Sequence, residues 1–341
     1  MNITIVTDAW HPQVNGVVHT LTHTGRELTA LGHAVSYLAP AGFPNIPCPT
    51  YPSIRLAVLP GRSLAAKLAD QRPDAIHIAT EGPLGIAARR WCLRHGLPFT
   101  TSWHTQFPEY LRLRAPVPTA WTYAWLRRFH APAAATLVPT ASIRDQLAAR
   151  GFEHLQVWSR GVDTQLFRPR GKDALGDLPR PISMVMGRVA VEKNIEAFLE
   201  LDIPGTRVVV GDGPDLERLR LRYPDVLFTG QKRGDELAAH VSAADVFVFP
   251  SRTDTFGLVM LEAMACGVPV AAFPVAGPRD VVLDGVTGAL DEDLGAAVER
   301  ALRINPQHCI DYAARHSWQG CAEAFLRHVQ PLPAGRHAIP A

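Results

Sequence analysis

The sequence predicts an α/β protein of two domains, each built on a parallel sheet. Short apolar runs alternate along the chain with stretches of helical periodicity, which is the pattern of strand–helix–strand units. The 341 residues are too many for one ordinary core and suit two domains of about 150 residues each. Near the middle, residues 164–181 (TQLFRPRGKDALGDLPRP) interrupt the periodicity with Pro, Gly and charge, a linker composition.

In the first half, strands are expected at residues 2–7, 33–39, 54–59, 75–79, 99–103 and 136–138, with a helix over 16–31. In the second half they are expected at 182–187, 207–211, 226–229, 246–250 and 268–273, with a helix over 258–266. Two Rossmann-like domains follow, over residues 1–165 and 166–311. A last helical stretch over about 306–329 carries Ile310, Trp318 and Phe325, and the tail 331–341 (PLPAGRHAIPA) has the composition of a disordered end. No internal repeat is evident.

A hydrophobic fraction of 47% with 19% charged residues is that of an ordinary soluble globular chain. The net charge of +2 gives no reason to expect nucleic acid, but its distribution is uneven. Residues 1–165 hold 15 Lys and Arg against 9 Asp and Glu, a balance of +6, and the remainder carries −4. Such a split fits an N-terminal half that meets something anionic. Cys48, Cys92, Cys266, Cys309 and Cys321 form no C-x-x-C pair and no metal-type cluster, so free thiols in a reducing compartment are expected. The opening MNITIVTD reads as a strand rather than a secretory leader, and no apolar run approaches the ~18–20 residues of a membrane span. The expectation is a cytoplasmic protein, peripheral at the inner membrane face if it works on a membrane at all.

The most informative stretch is SRTDTFGLVMLEAMACGVPV, residues 251–270. A strand ends in a polar loop, and the pattern switches to helical period at about Gly257. A helix N-terminus placed after a strand favours an anion, because unpaired N–H groups and the helix dipole act together. Asp254 precedes the helix and Glu262 lies eight positions later within it. Carboxylates so placed suit a diol, since each accepts hydrogen bonds from hydroxyls. The alternative is that Asp254 only caps the helix and Glu262 is solvated. In GRVAVEKN, residues 187–194, Arg188 and Lys193 stand at the carboxyl edge of the sheet, where they suit a diphosphate clamp; the alternative is ordinary surface charge, with Lys193 paired to a nearby acid.

The loop DAWHPQVNGVV, residues 8–18, brings Gly16 to the start of a helix without forming G-x-G-x-x-G. TSWHTQFPEY, residues 101–110, places His104 after a strand, where a lone histidine is more often a structural donor than a catalyst. GDGPD, residues 211–215, makes a strand-to-helix turn, and SRGVD, residues 159–163, comes just before the linker.

Taken together and in order, these motifs resemble glycosyltransferase family 4, the retaining GT-B enzymes also described as glycosyl transferases group 1. The likeness runs from the DAWHPQVNGV loop to the HSW helix near the end. It implies two Rossmann-like domains facing each other across a cleft, with a C-terminal helix (about 312–330) crossing back to an N-terminal acceptor domain. It implies that Asp254 binds donor-sugar hydroxyls, Glu262 the ribose, and the backbone N–H groups of Phe256, Gly257 and Leu258 the sugar and phosphates. Arg188 and Lys193 match the diphosphate pair, Gly16 the glycine that closes over the phosphates, and His104 a histidine near the reacting face. Turns holding Gly211, Gly213, Gln231 and Lys232 match the nucleobase site. One departure is that Asp254 stands where glutamate is usual, one methylene shorter, so donor identity does not transfer.

The family mechanism is displacement with retention on the front face, with the leaving phosphate helping to deprotonate the acceptor. Neither cofactor nor metal is implied, the donor being a UDP- or GDP-sugar, and residues 164–181 would serve as one hinge. The narrower likeness is to bacterial glycolipid-synthesising and α-mannosyltransferase members.

The acceptor is expected to be a lipid such as diacylglycerol, or a membrane-linked glycan. YLRLRAPVPTAWTYAWLRRFH, residues 110–130, mixes Arg112, Arg114, Arg127 and Arg128 with Trp121, Trp125 and other rings, which suits an anionic membrane interface. The alternative is that the rings are core and the arginines solvated, and nucleic acid is not expected. The rival functions are a nucleotide-sugar-binding protein without transfer activity and a UDP-sugar epimerase. The missing dinucleotide fingerprint argues against a nicotinamide enzyme.

Overall fold

Parallel strands buried on both faces read as continuous apolar runs, and the strands of this chain have that character. Ile3, Ile5 and Val6 of the first strand are wholly buried, as are Val246, Phe247 and Val248 in the second half. The computed structural model describes residues 1–13, 15–48, 51–114 and 117–333, with the side chains of 51–53, 113 and 114 outside that description. The tail expected over 331–341 lies mostly outside the described residues, as does the side chain of Arg114.

In chain order the first half contains β1 (Asn2–Val6), α1 (Gly16–Ala30), β2 (Ala34–Leu38), β3 (Asn45–Cys48), β4 (Tyr51–Ala57), α2 (Gly61–Gln71), β5 (Ala75–Ile78), α3 (Pro83–His95), β6 (Thr100–Ser102), α4 (Phe107–Arg114), α5 (Thr119–His130), β7 (Ala135–Val138), α6 (Ala141–Ala148) and β8 (Leu155–Val157). The second contains β9 (Ile182–Met186), α7 (Ile195–Leu199), β10 (Thr206–Val210), α8 (Leu216–Arg222), β11 (Leu227–Gly230), α9 (Gly234–Ala243), β12 (Val246–Phe249), α10 (Leu258–Ala265), β13 (Val270–Ala272), α11 (Pro278–Val281), β14 (Gly288–Leu290), α12 (Leu294–Ala301), α13 (Pro306–Ala313) and α14 (Trp318–His328).

The chain divides into two compact units: Met1–Pro108, Val117–Arg160 and Trp318–Ala341 form one, and Glu109–Pro116 and Gly161–Ser317 the other. The first unit carries a parallel sheet of order β2-β1-β5-β6-β7-β8, the second one of order β11-β10-β9-β12-β13-β14. In each, strand order reverses beside the first strand, between β1 and β5 and between β9 and β12. In open α/β sheets the crevice at this switch point, outside the carboxyl ends of the strands, is the ligand site.

Several elements differ from the sequence reading. The strand expected at 54–59 is not part of the large sheet: β4 pairs antiparallel with β3 in a separate hairpin. The strands β8 and β14 are not among those expected, because LQV and GAL belong to no apolar run that stands out from its flanks. The single helix expected over 306–329 is two, α13 and α14, and the second groups with the first unit. There His23 of α1 stacks on Trp318 at 4.8 Å, and Trp158 donates Nε1–H to the Cys321 carbonyl at 3.0 Å.

The linker composition at 164–181 misleads. That segment lies inside the second unit and is tied down there: Phe167 is buried, Arg170 N–H donates to Ser242 Oγ at 2.7 Å, and Arg180 pairs with Asp245 at 2.6 Å. A segment so fastened is a poor hinge.

Candidate active site

At the switch point of the second unit, the loop after β9 and the loop after β12 are fastened to each other. Lys193 Nζ donates to both carboxylate oxygens of Asp254, at 2.7 and 2.9 Å. Asn194, in the left-handed region at φ 51°, donates Nδ2–H to the Pro250 carbonyl at 3.0 Å. Ser251 and Thr253 hydroxyls both donate to the Glu192 carbonyl at 3.3 Å. Arg188 pairs with Glu192, whose side chain is fully buried, at 3.0 Å. Burial acts to lower the Lys193 ammonium, but the Asp254 carboxylate and Tyr110 together outweigh it, so its pKa is raised and it stays charged. Tyr110, half-buried on α4 in the part of that helix grouped with the second unit, feels the charges of Asp254, Lys193, Glu192 and Arg188; burial first and then Asp254 push its phenol up to about 12.

The α10 helix starts directly behind these loops. Its N-cap is Gly257 at φ 82°, without a side-chain cap, so the N–H groups of the first turn are not consumed by a capping side chain. Only glycine fits: a Cβ there would stand 2.7 Å from Met260 Cε and 2.8 Å from Phe249 Cζ. Asp254 therefore does not cap the helix, and Glu262 is not solvated. Glu262 is 8% exposed, and burial pushes its carboxyl from 4.5 up to about 7.

Gly211 and Gly213 follow β10, where a Cβ on Gly211 would lie 1.8 Å from the Gly187 carbonyl oxygen. This close approach brings the β9 and β10 loops together. Past β11, Gln231 accepts from Arg233 at 3.2 Å and Lys232 pairs with Glu236 at 2.5 Å. The second unit thus brings Arg188, Lys193, Asp254, Phe256, Gly257, Leu258 and Glu262 to the mouth of β9 and β12. Gly211, Gly213, Gln231 and Lys232 lie on the β10 and β11 side. The pairing of Lys193 with Asp254 differs from the reading that gave Lys193 to phosphate and left Asp254 for hydroxyls. Each satisfies the other.

In the first unit the equivalent switch point is held by Asp8. Its carboxylate accepts from Thr80 Oγ1 at 2.8 Å, Leu84 N at 2.9 Å and Gly85 N at 3.3 Å, bridging the β1 loop to the start of α3. Burial nonetheless raises its pKa. Gly16 opens α1, whose first N–H groups bond to the Asn15 side chain: Val17 at 3.1 Å and Val18 at 3.0 Å. His104 follows β6, half-buried, with Arg160 Nη2 3.3 Å from its Nδ1.

The basic-aromatic segment splits. On α5 Phe129 is buried in the core and half-buried Tyr123 stacks on Trp103, whereas Trp121 is 73% and Trp125 44% exposed beside Arg127 and Arg128. Arg127 donates to the Arg150 carbonyl, and Arg112 on α4 is exposed. Sequence reasoning missed Asp8, Tyr110, Arg160 and Glu192. Each acts through a partner distant in the chain, except Glu192, whose signal was its i+4 spacing from Arg188.

The model of Glycosyltransferase Family 4 matches residues 14–166, and that of Glycosyl transferases group 1 matches residues 180–304. A GDP-mannose-dependent alpha-mannosyltransferase of Mycolicibacterium smegmatis is 32% identical over 99% of this chain and 99% of its own length. The chain belongs to the family 4 glycosyltransferases. A similarly named mannosyltransferase of Mycobacterium tuberculosis is 30% identical over 98% of both chains. The alpha-monoglucosyldiacylglycerol synthase of Streptococcus pneumoniae is 29% identical over 96% of this chain and 84% of its own. Among solved structures, the sucrose-phosphate synthase of Thermosynechococcus elongatus superposes with a TM-score of 0.75 at 24% identity, covering 96% of this glycosyltransferase and 97% of that chain. The fold is accordingly GT-B, two Rossmann-like domains. Among the described residues, no helix is long and apolar enough to cross a membrane.

Proposed function

We propose that this glycosyltransferase moves a hexosyl unit from a nucleoside-diphosphate sugar, UDP- or GDP-linked, to a hydroxyl acceptor with retention at the anomeric carbon. The observation that carries the reading is the fastened pair of loops at the β9–β12 switch point. There two cations, the carboxylates of Glu192 and Asp254 that pair with them, and a helix N-terminus converge, with a third carboxylate, that of buried Glu262, on that helix. A diphosphate meets Arg188, Lys193 and the first N–H groups of α10, which stabilise the charge that grows as it departs. Asp254 and Glu262 accept from sugar and ribose hydroxyls. The acceptor oxygen bonds to the anomeric carbon as the bond from that carbon to the phosphate oxygen breaks. The acceptor proton passes to the departing phosphate. Positive charge from Arg188 and Lys193 takes the place of a divalent ion, so the transfer is read as metal-independent.

GDP-mannose is the first donor to test, because the relatives matched over nearly their whole lengths are named for it. The acceptor is read as a lipid such as diacylglycerol, or a membrane-linked glycan. The diacylglycerol synthase among the relatives and the exposed Trp121 and Trp125 beside Arg127 and Arg128 support that reading. No observation favours a non-transferring binder or an epimerase. The experiment is a donor panel of GDP- and UDP-sugars with and without EDTA, with lipid and glycan acceptors, and the anomeric configuration of the product read by NMR. An inverted product, or turnover that needs a divalent ion, would overturn the corresponding part of the proposal.

A further inference from the structure

Arg160 sits in SRGVD, two positions past Trp158 and just beyond β8, and is a buried cation at 4% exposure. Among the described residues no carboxylate pairs with it. It is held by other means: Nη1 donates to the Trp158 and Ser159 carbonyls, and the guanidinium lies over the Trp158 indole at 4.3 Å. Trp158 is itself fully buried and anchored by its bond to the Cys321 carbonyl. The remaining contact of the fork is His104 Nδ1, 3.3 Å from Nη2. Burying a charge without a counter-ion is costly, so a fork anchored this firmly calls for a purpose beyond packing.

A guanidinium has only donors, so a nitrogen bonded to it must accept. An imidazole whose Nδ1 accepts carries its proton on Nε2. We propose that Arg160 is a positioning residue that fixes His104 as the Nε2–H tautomer, so that His104 serves the reaction as a hydrogen-bond donor and never as its base. This rests on the transferase reading above and deepens it. A donor at Nε2 suits a sugar oxygen, and the proton of the acceptor is left to the departing phosphate.

The surroundings agree. Burial first, then the Arg160 charge, then His77 hold His104 well below the usual 6.5. His77 is itself bonded to Thr100 and Ser102 hydroxyls at 2.8 and 2.6 Å and is lowered to about 3, so it stays neutral. Arg160 is pulled down to about 10 by burial and remains charged at neutral pH.

The test is the 15N spectrum of protein labelled at histidine, with the His104 signals assigned by their loss in His104→Asn. The result expected is an acceptor-type Nδ1 and a protonated Nε2, unchanged from pH 5.5 to 8.5. In Arg160→Gln, whose amide can donate or accept, the two nitrogens should average between tautomers or titrate. Arg160→Lys should keep the wild-type pattern. With the preferred donor, Arg160→Gln should lower kcat by about tenfold, the order expected for misorienting one hydrogen-bond donor, with KM changed less than about threefold. A proton on Nδ1 in the wild type, titration of His104 in this range, or an unchanged Arg160→Gln spectrum would overturn the assignment. The wild-type spectrum decides the matter even if the Gln variant does not fold. Absence of transfer from every donor would instead defeat the functional reading and leave the tautomer result standing.

Discussion

Replacing Glu262 by Gln should stabilise the ligand-free protein above neutral pH while disabling donor binding. Glu262 is 8% exposed on a helix whose neighbours Met260, Leu261, Ala263 and Met264 are wholly buried. Burial raises its carboxyl from 4.5 to about 7. A carboxyl raised on folding contributes stability that is fully present below its unfolded value and is lost as pH rises through its folded one. Going from 4.5 to 7 therefore costs at most about 3 kcal/mol once the group is ionised in the fold. Between pH 5 and 8.5 the wild type should lose this amount relative to Glu262→Gln. That corresponds to roughly 6–12 °C in Tm for a cooperative unit of this size. Because His77, His104 and Asp8 are common to both proteins, the difference between the two curves isolates Glu262. The assay is thermal unfolding across that pH range, without ligand and with saturating GDP or UDP. The nucleotide should raise the wild-type Tm and leave the variant unmoved, since an amide accepts from a ribose diol less well than a carboxylate does. A Tm difference that does not change with pH would refute the burial argument. A variant that binds nucleotide as the wild type does would refute the assignment to ribose.

Asp254→Asn and Lys193→Met should each reduce transfer by about 100-fold or more. Each should also cost about 1–3 kcal/mol, because the pair is only partly buried, with side chains 15% and 25% exposed. The double variant should cost less than the sum, which a double-mutant cycle by denaturant unfolding reads directly. Gly257→Ala should destabilise by about 1–3 kcal/mol, from positive φ and from contact with Met260 and Phe249, and should weaken donor binding measured by calorimetry. On anionic liposomes, Trp121→Ser with Trp125→Ser should lower co-sedimentation several-fold. Arg127→Gln with Arg128→Gln should do so by about 1 kcal/mol per charge, an effect that disappears on neutral lipid. Indifference to both pairs would remove the membrane reading of α5.

The fold was largely legible because its signals are local. A buried parallel strand shows itself as an apolar run and a following amphipathic helix as a change of period, so β1, β9, β12 and the helices after β1 and β12 stood out. The errors came where the signal is shared or short. The β4 segment has strand character, but which partner it pairs with is a tertiary matter, and the hairpin with β3 cannot be distinguished from a sheet strand by period. The β8 and β14 segments, LQV and GAL, lie in no apolar run of their own, whereas the equally short β6 and β13 sit within longer stretches that stand out. Pro, Gly and charge at 164–181 describe a segment without regular structure equally well whether it swings or is fastened. Here Arg170, Arg180 and Phe167 fasten it.

The residue types of the candidate site were legible in the sequence, and their pairing was not. Residue type and order nominated Asp254, Glu262, Arg188 and Lys193, and the resemblance to family 4 supplied the roles expected of them. What the spacing could not show is that Lys193 holds Asp254, since 61 positions separate them in the chain. In that pair each charge is met by the other, with both side chains partly buried. On the function proposed above, a donor therefore does not simply enter between them. Its diphosphate has to compete for Lys193, and in doing so frees Asp254 to accept from the sugar, so that phosphate and sugar are recognised together. A free sugar offers hydroxyls but no anion to draw Lys193 away, and a free nucleotide draws Lys193 away but leaves the Asp254 carboxylate without a partner. The coupling between the two halves of the donor therefore follows from one ion pair. It would be lost in Asp254→Asn, where nucleotide should bind as well as in the wild type or better while the complete nucleotide sugar loses its advantage over it.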